Sequence, residues 1–318
     1  MPKLAGYFFC GDRMDLNKPP KTYLEQLQIL KDRGLTVKDD SFALHCLEHH
    51  NYYRLSAYRF PLTEVGNPDR FLPGASFDDL WGLYHFDRTL RQFVTEAVKR
   101  VEISVRSRWA YVLGHAYGPQ AYEDPRVFRN PQRHTGALAK LDEELDRSDE
   151  VFVGHYRKKY EMNRPPIWAA CEVMSFGLLS RFYENIAREA DKKKISRAYS
   201  LSVDNLKSLL EHCSYVRNIC AHHARLWNRR FTLTVELPQS IPEGVVPNLN
   251  PAEDRRVYNT LVLLTHMIGV IEPSSNWPQR LVQQLSALEA RFIPLMGFPS
   301  DWNNRPMWKP LVEKCRPF

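Results

Sequence analysis

The sequence predicts a mainly α-helical protein with at most a short β element. Apolar residues recur every three or four positions over most of the chain, which is the spacing of amphipathic helices. Only one short segment alternates between apolar and polar residues in the way of a half-buried strand. With 43% hydrophobic and 12% aromatic residues, the 318-residue chain can bury a core of its own.

The first elements are predicted from helix-start and helix-stop signals. Thr22 can cap a helix that ends at Gly34. Ser41 can cap a second helix, which leads into an aromatic stretch at residues 51–58. Prolines and glycines predict that residues 61–74 form a loop.

A long helix should follow this loop. Ser76 and Asp79 form a capping-box-like start, and apolar residues keep a helical spacing to about Gly114. Glu102 and Arg106 are four residues apart on this helix and should therefore be neighbours on one face. They could form a surface ion pair of little consequence, or a supporting pair that orients groups of a functional site.

The remaining elements are predicted from the same periodicity, with prolines as breaks. Ser202 should cap the helix that carries the main motif, and its buried stripe should include Leu206, Leu209, Cys213, Val216, Cys220 and Leu226. The other expected elements are a loop at 118–134, helices at 135–147, 150–160, 167–190, 253–271 and 277–292, and a strand at 231–237. We expect one unit over residues 1–318, with an N-terminal helical segment at 1–74, a core at 75–230 and a C-terminal helical segment at 231–318.

Charge and cysteine content narrow the class of protein. The chain has 44 basic and 37 acidic residues, a net charge of +7, and 29 arginines against 15 lysines. This balance favours nucleic acid or another anionic partner, and arginine suits forked contacts with phosphate. Six scattered cysteines indicate reduced thiols. Because no secretion signal or membrane-spanning run is apparent, we expect a cytoplasmic protein without a membrane partner.

The most informative segment is residues 217–228, which places arginines, histidines and asparagines on an otherwise apolar-periodic helix. Asn218 and His222 are four residues apart and should share a face, and the long side chain of Arg217 can swing toward them. One helix could thus present a base, an amide and a guanidinium to one phosphate. The alternative is a polar face that makes only structural hydrogen bonds.

Three other patterns compete with this interpretation. Arg129 and His134 fit the same Arg-x4-His spacing, but in a proline-containing loop. His45, Glu48 and His49 form an H-x-x-E-H pattern that could bind zinc in a metal hydrolase. A further metal site could combine Cys213, Cys220 and one of the adjacent histidines. Weighing these patterns, we expect no metal and no cofactor.

Several segments resemble the bacterial Abi-like (abortive infection, AbiD/AbiF-type) family, over about residues 18–310. The strongest is Tyr215-Val216-Arg217-Asn218-Ile219-Cys220-Ala221-His222-His223-Ala224-Arg225-Leu226-Trp227-Asn228. The others are Lys18-Pro19-Pro20 with Tyr23, Gln26 and Leu27, and the segments at 51–58, 83–91, 100–106, 166–168 and 174–180.

The resemblance implies a HEPN-type helical ribonuclease fold, with residues 75–230 as the HEPN-like core of a single Abi-like unit. In that superfamily an Arg-x4–6-His motif is the active site, which maps onto Arg217, Asn218 and His222 here. Because one such copy is found, a homodimer with a composite site is expected.

The implied activity is RNA cleavage in phage defence or as a toxin. His223, Arg225 and Asn228 would then hold RNA, with Glu102 and Arg106 in support. RNA would be the substrate, and a small RNA or a neutralising partner protein could also restrain the enzyme. The alternative is a non-catalytic HEPN module that binds RNA or a protein partner.

Overall fold

The computed structural model describes residues 19–240 and 242–315 and confirms the mainly α-helical fold class. Its helices are α1 Tyr23–Asp32, α2 Asp40–His49, α3 Tyr52–Ser56, α4 Phe77–Tyr117, α5 Pro131–Asp146, α6 Val151–Tyr160, α7 Ile167–Val173, α8 Phe176–Asn185, α9 Glu189–Ser196, α10 Val203–Ala221, α11 Val257–Ile271, α12 Trp277–Ser286 and α13 Lys309–Cys315. Among the described residues, none of these helices is both long and apolar enough to cross a membrane.

The chain divides into two compact units, Met1–Tyr84 and His85–Phe318, with the boundary inside α4. The predicted division at residues 74 and 230 stays a prediction. The predicted cap at Thr22 is confirmed, and it is part of a capping box: the N–H of Glu25 donates to Oγ1 of Thr22 at 3.2 Å, and Oε2 of Glu25 accepts the Thr22 N–H at 2.7 Å. The second helix starts two residues earlier than predicted, because Asp39 rather than Ser41 is its cap.

The predicted loop at 61–74 contains a small antiparallel hairpin, made of β1 Thr63–Glu64 and β2 Asn67–Phe71. The prediction missed it because β2 shows no apolar alternation: its first four residues are exposed and Phe71 alone is buried. Gly66, with φ at 83°, makes the tight turn between the strands.

Helix α4 is 41 residues long, and its predicted capping box is confirmed. The N–H of Asp79 donates to Oγ of Ser76 at 3.2 Å, and Oδ2 of Asp79 accepts the N–H of Ser76 at 2.8 Å. Its apolar stripe is buried at Leu90, Val94, Ala97, Val98, Val101, Val105, Trp109 and Leu113.

Two predicted elements of the second unit were wrong. The single helix expected at 167–190 is broken into α7, α8 and α9, because Met174 and Ile186 take extended ψ angles of 134° and 131°. The strand expected at 231–237 is not formed. Its N–H groups find other acceptors: that of Phe231 bonds to the carbonyl of Arg255 at 2.8 Å, and that of Glu236 bonds to Oγ of Ser208 at 2.7 Å.

Helix α11 is buried on nearly all sides, as expected for a central helix of a core. His212 of α10 reaches it: Nδ1 lies 3.0 Å from the carbonyl oxygen of Leu233, and Nε2 lies 2.8 Å from Oγ1 of Thr260. Since a carbonyl only accepts, Nδ1 carries the proton and Nε2 accepts the threonine hydroxyl. Burial lowers the pKa of His212 to about 4, so the ring is neutral in the fold at pH 7.

Candidate active site

Helix α10 packs closely on α8 and carries the main sequence motif at its C-terminal end. Ser202 caps it as predicted, with Oγ accepting the N–H of Asn205 at 3.0 Å. The predicted stripe is buried throughout. A Cβ placed on Gly177 of α8 would lie 3.2 Å from Oγ of Ser214, so glycine allows the two helices to approach closely just before the motif.

The motif at 217–228 is half helix and half turn, which corrects the prediction of one continuous helix. The helix ends at Ala221, and His222 is its C-cap residue. His223 then has φ at 54°, in the left-handed region. Its N–H and that of Ala224 return to the last helical turn at 3.1 and 3.0 Å, which is the bonding of a Schellman motif. Glycine is the usual residue there, so the histidine costs on the order of 1 kcal/mol of backbone strain.

The three residues predicted to be catalytic, Arg217, Asn218 and His222, are all exposed at this helix end. Nη1 of Arg217 lies 3.5 Å from Oδ1 of Asn218, which places the guanidinium beside the amide. The backbone N–H of His222 donates to the carbonyl oxygen of Asn218 at 3.0 Å. This bond keeps the two residues in the i, i+4 relation of a helix, in which side chains are neighbours. By contrast, His223 lies beyond the end of the helix and does not share this helical spacing.

The residues predicted to hold RNA have different environments. His223 is exposed, whereas Arg225 and Asn228 are half-buried. Nη1 of Arg256 donates to Oδ1 of Asn228 at 2.6 Å and to its carbonyl oxygen at 2.9 Å. The amide of Asn228 therefore joins the loop to the segment before α11, which is a structural task. A contact with RNA stays a prediction for all three.

An aspartate that the sequence analysis missed anchors the turn after the motif helix. Asp87 is fully buried, and its Oδ1 accepts the N–H groups of Leu226 at 3.0 Å and Trp227 at 2.6 Å. Its Oδ2 is paired with the buried guanidinium of Arg91, one turn further along α4. Two charged residues, four apart on an otherwise apolar stripe, are the signal that could have found this pair.

Glu102 and Arg106 form an ion pair, as their spacing predicts, but it does not lie on the surface. Their side chains are only 11% and 13% exposed. Arg106 also donates to the carbonyl oxygens of Glu172 at 3.0 Å and Met174 at 2.6 Å. The pair thus fastens α4 to the turn between α7 and α8.

One alternative around the motif helix is wrong. Cys213 and Cys220 are buried in the core, and burial raises the pKa of each thiol to about 12. Among the described residues, neither belongs to a group of three His, Cys, Asp or Glu side chains close enough to hold one metal ion. They are therefore core residues. Trp227 is fully buried in the core as well.

The rival pair Arg129 and His134 does not form an accessible site. Residues from Pro131 onward form α5, capped by Asn130, rather than the predicted loop. His134 is buried, with Nε2 at 2.7 Å from the carbonyl oxygen of Tyr122. His134 therefore stabilises the loop that contains Tyr122, and a substrate cannot reach its side chain.

The H-x-x-E-H pattern does form a cluster in the first unit. The ligand atoms of His45, Glu48 and His49 lie within 4.8 Å of one another, and all three residues are exposed. Three N and O ligands suit a divalent transition metal. Within the part of the chain that the structure describes, no fourth His, Cys, Asp or Glu joins the set.

Comparison with models of protein families supports the resemblance to the Abi-like family. Residues 45–228, more than half of the chain, match the family model described as Abi-like protein. The matched range contains Arg217, Asn218 and His222, and also Asp87 and Arg91. Neither the curated proteins nor the solved structures gave a match. The chain belongs to the Abi-like family.

Proposed function

We propose that this protein is a metal-independent, HEPN-type endoribonuclease that acts in abortive infection or as a toxin. The observation that carries the proposal is the exposed cluster of Arg217, Asn218 and His222 at the end of a helix whose opposite face is buried. An imidazole that can move protons and a fixed guanidinium are what phosphodiester cleavage requires. Membership of the Abi-like family supports the biological setting.

The ribose 2′-OH is the nucleophile in this reaction. Its oxygen attacks the adjacent phosphorus, the bond from phosphorus to the 5′ oxygen breaks, and the products are a 2′,3′-cyclic phosphate and a 5′-OH end. His222 takes the proton of the 2′-OH or gives one to the leaving oxygen. Arg217 stabilises the charge that builds on the phosphate, and Asn218 orients the imidazole or the phosphate. DNA resists because it lacks the nucleophile.

The reaction supports a homodimer, because one imidazole cannot accept one proton and donate another at the same moment. Two copies of His222 at a shared site would divide these tasks. Electrostatics point the same way: a helix C-terminus carries partial negative charge, which repels phosphate. Two copies of Arg217 would offset that repulsion better than one.

Other residues would hold and position the RNA. In this proposal His223, Arg225 and Asn228 contact the flanking nucleotides, and the Glu102–Arg106 pair keeps α8 in place beneath the motif helix. Unpaired RNA suits the site best, because its backbone can adopt the in-line geometry. A small RNA or a partner protein that covers this helix end would restrain the enzyme.

The test compares purified wild type with His222→Ala and Arg217→Ala on RNA and on DNA of the same sequence, with EDTA present. We expect wild type to cut only RNA, and each variant to lose about 10²–10⁴-fold in rate. His155→Ala is the matched control, because His155 is an exposed histidine on another helix. Equal cleavage by wild type and His222→Ala would contradict the mechanism.

Two alternatives have distinct outcomes. A non-catalytic RNA-binding module would bind RNA tightly but leave no new 5′-OH ends in cells that express it. A metal hydrolase is favoured by the convergence of His45, Glu48 and His49. That alternative requires stoichiometric zinc in the purified protein and a cleavage activity that EDTA abolishes.

A further inference from the structure

The N-terminal end of α10 opens onto a polar cleft of about 290 Å³. The cleft lies between the first turns of α5 and α10, the end of α8, and α9. Helix α10 has 19 residues and therefore rises about 28 Å from this end to the other. The cleft is thus separate from the cluster at Arg217 and His222.

A buried lysine lines this cleft. Lys192 is only 5% exposed, whereas its neighbours Lys193 and Lys194 on α9 are exposed. Among the described residues, none forms a hydrogen bond or ion pair with Lys192. Its Nζ is not among the described polar atoms that are sealed from solvent without a partner, so the ammonium reaches the cleft that Lys192 lines. A cation held in this way at the end of a buried side chain suits an anion that enters the cleft.

The acidic residues that line the cleft form no ion pair with Lys192. Glu184 is already shared by Arg133 at 3.3 Å and Lys207 at 3.2 Å. Arg129 lines the cleft as well, and its guanidinium forms no ion pair with a described residue. Burial, and then repulsion by Arg129, lowers the pKa of Lys192. Glu189 and Glu184 offset this repulsion in part, but neither forms an ion pair with Lys192 or Arg129.

The helix ends add to the attraction for an anion. Asn130 caps α5 and Val203 begins α10, and both residues line the cleft, so the positive ends of two helix dipoles face it. Asp204 and Glu189 also line it and reduce the net charge. They are first-turn residues of α10 and α9, where the helix N-terminus compensates a carboxylate.

We propose that this cleft binds a phosphate group, held by Lys192 and Arg129 at the N-terminus of α10. The phosphate is either the terminal group of a nucleotide or a backbone group of RNA. A cleft of this volume has room for the phosphate with an attached sugar. The proposal does not depend on the nuclease activity.

The test is calorimetric titration of the full chain with inorganic phosphate, 5′-AMP, adenosine and an RNA oligomer that lacks a terminal phosphate. We expect saturable binding of 5′-AMP and none of adenosine. Lys192→Met should weaken 5′-AMP by about tenfold or more, because a charge-assisted hydrogen bond is lost. Lys193→Met is the matched control and should bind like wild type. His222→Ala should also bind normally, which separates this cleft from the proposed cleavage site.

The oligomer distinguishes the two sources of phosphate. Its binding, weakened by Lys192→Met, would assign the cleft to the RNA backbone; binding of 5′-AMP alone would assign it to a terminal phosphate. Urea denaturation shows whether a loss of binding is due to unfolding. Because Lys192→Met removes a buried charge, this variant should be at least as stable as wild type. The proposal is overturned if wild type binds none of the phosphate compounds, or if Lys192→Met binds them as tightly as Lys193→Met.

Discussion

The buried pair of Asp87 and Arg91 gives the sharpest prediction. Asp87→Ala removes the acceptor of two buried N–H groups, those of Leu226 and Trp227, and leaves a guanidinium that is only 6% exposed without its carboxylate. Each orphaned N–H costs about 1–3 kcal/mol. Breaking a buried ion pair from one side costs about 3–5 kcal/mol, and these costs overlap. We therefore expect a loss of about 4 kcal/mol, a large part of the about 5–15 kcal/mol typical of proteins.

Urea denaturation measures this loss as a shift of the transition midpoint at constant slope. The double variant Asp87→Leu with Arg91→Met should recover part of it, because no charge is then left unpaired. Glu143→Ala is the control. It breaks exposed ion pairs with Lys140 and Arg147 and should have little effect. The reasoning fails if Asp87→Ala lies within about 1 kcal/mol of wild type, or if the double variant is no more stable than the single one.

Three further predictions concern single residues. His223→Gly should stabilise the fold by about 1 kcal/mol in urea denaturation, because glycine adopts a left-handed backbone without a Cβ penalty. A loss of stability would mean that contacts of the imidazole outweigh the strain. Because the pKa of His212 is about 4 in the fold and about 6.5 in the unfolded chain, the unfolded state binds more protons between these values. Stability should therefore fall by about 3 kcal/mol as the pH falls from 6.5 to 4, and His212→Gln should flatten this dependence in urea denaturation at each pH. His45→Asn should leave RNA cleavage unchanged, as His155→Asn should, because the proposed reaction needs no metal. Reduced cleavage by His45→Asn would place the His45 cluster in the reaction.

The sequence was most predictive where the structure depends on neighbouring residues. The cap at Thr22, the capping box at Ser76 and the apolar stripe of α4 follow from local spacing, and each is present. The end of α10 could not be foreseen, because Ala-His-His-Ala contains no glycine or proline to mark a stop. A histidine occupies the left-handed position that glycine usually takes.

Features that depend on distant residues were missed. Asp87 bonds to N–H groups 139 and 140 residues further along the chain, so nothing near it in the sequence shows its task. Lys192 belongs to a run of three lysines that is typical of a solvated surface, yet it is the one whose side chain is buried. In the candidate site, the exposure of Arg217, Asn218 and His222 agrees with the expectation. The contacts that hold the turn after them join residues far apart in the sequence, so they could not be predicted.

The segment at 231–237 has a consequence for assembly. An alternating run of this kind with open N–H groups would be a template for strands of other chains, and hence a starting point for aggregation. Here the N–H of Thr232 bonds to the Tyr215 hydroxyl at 3.3 Å, and that of Glu236 to the Ser208 hydroxyl. Side chains of α10 thus occupy the donors that an incoming strand would need. Removing both hydroxyls would leave these two N–H groups open to pairing with a strand of another chain.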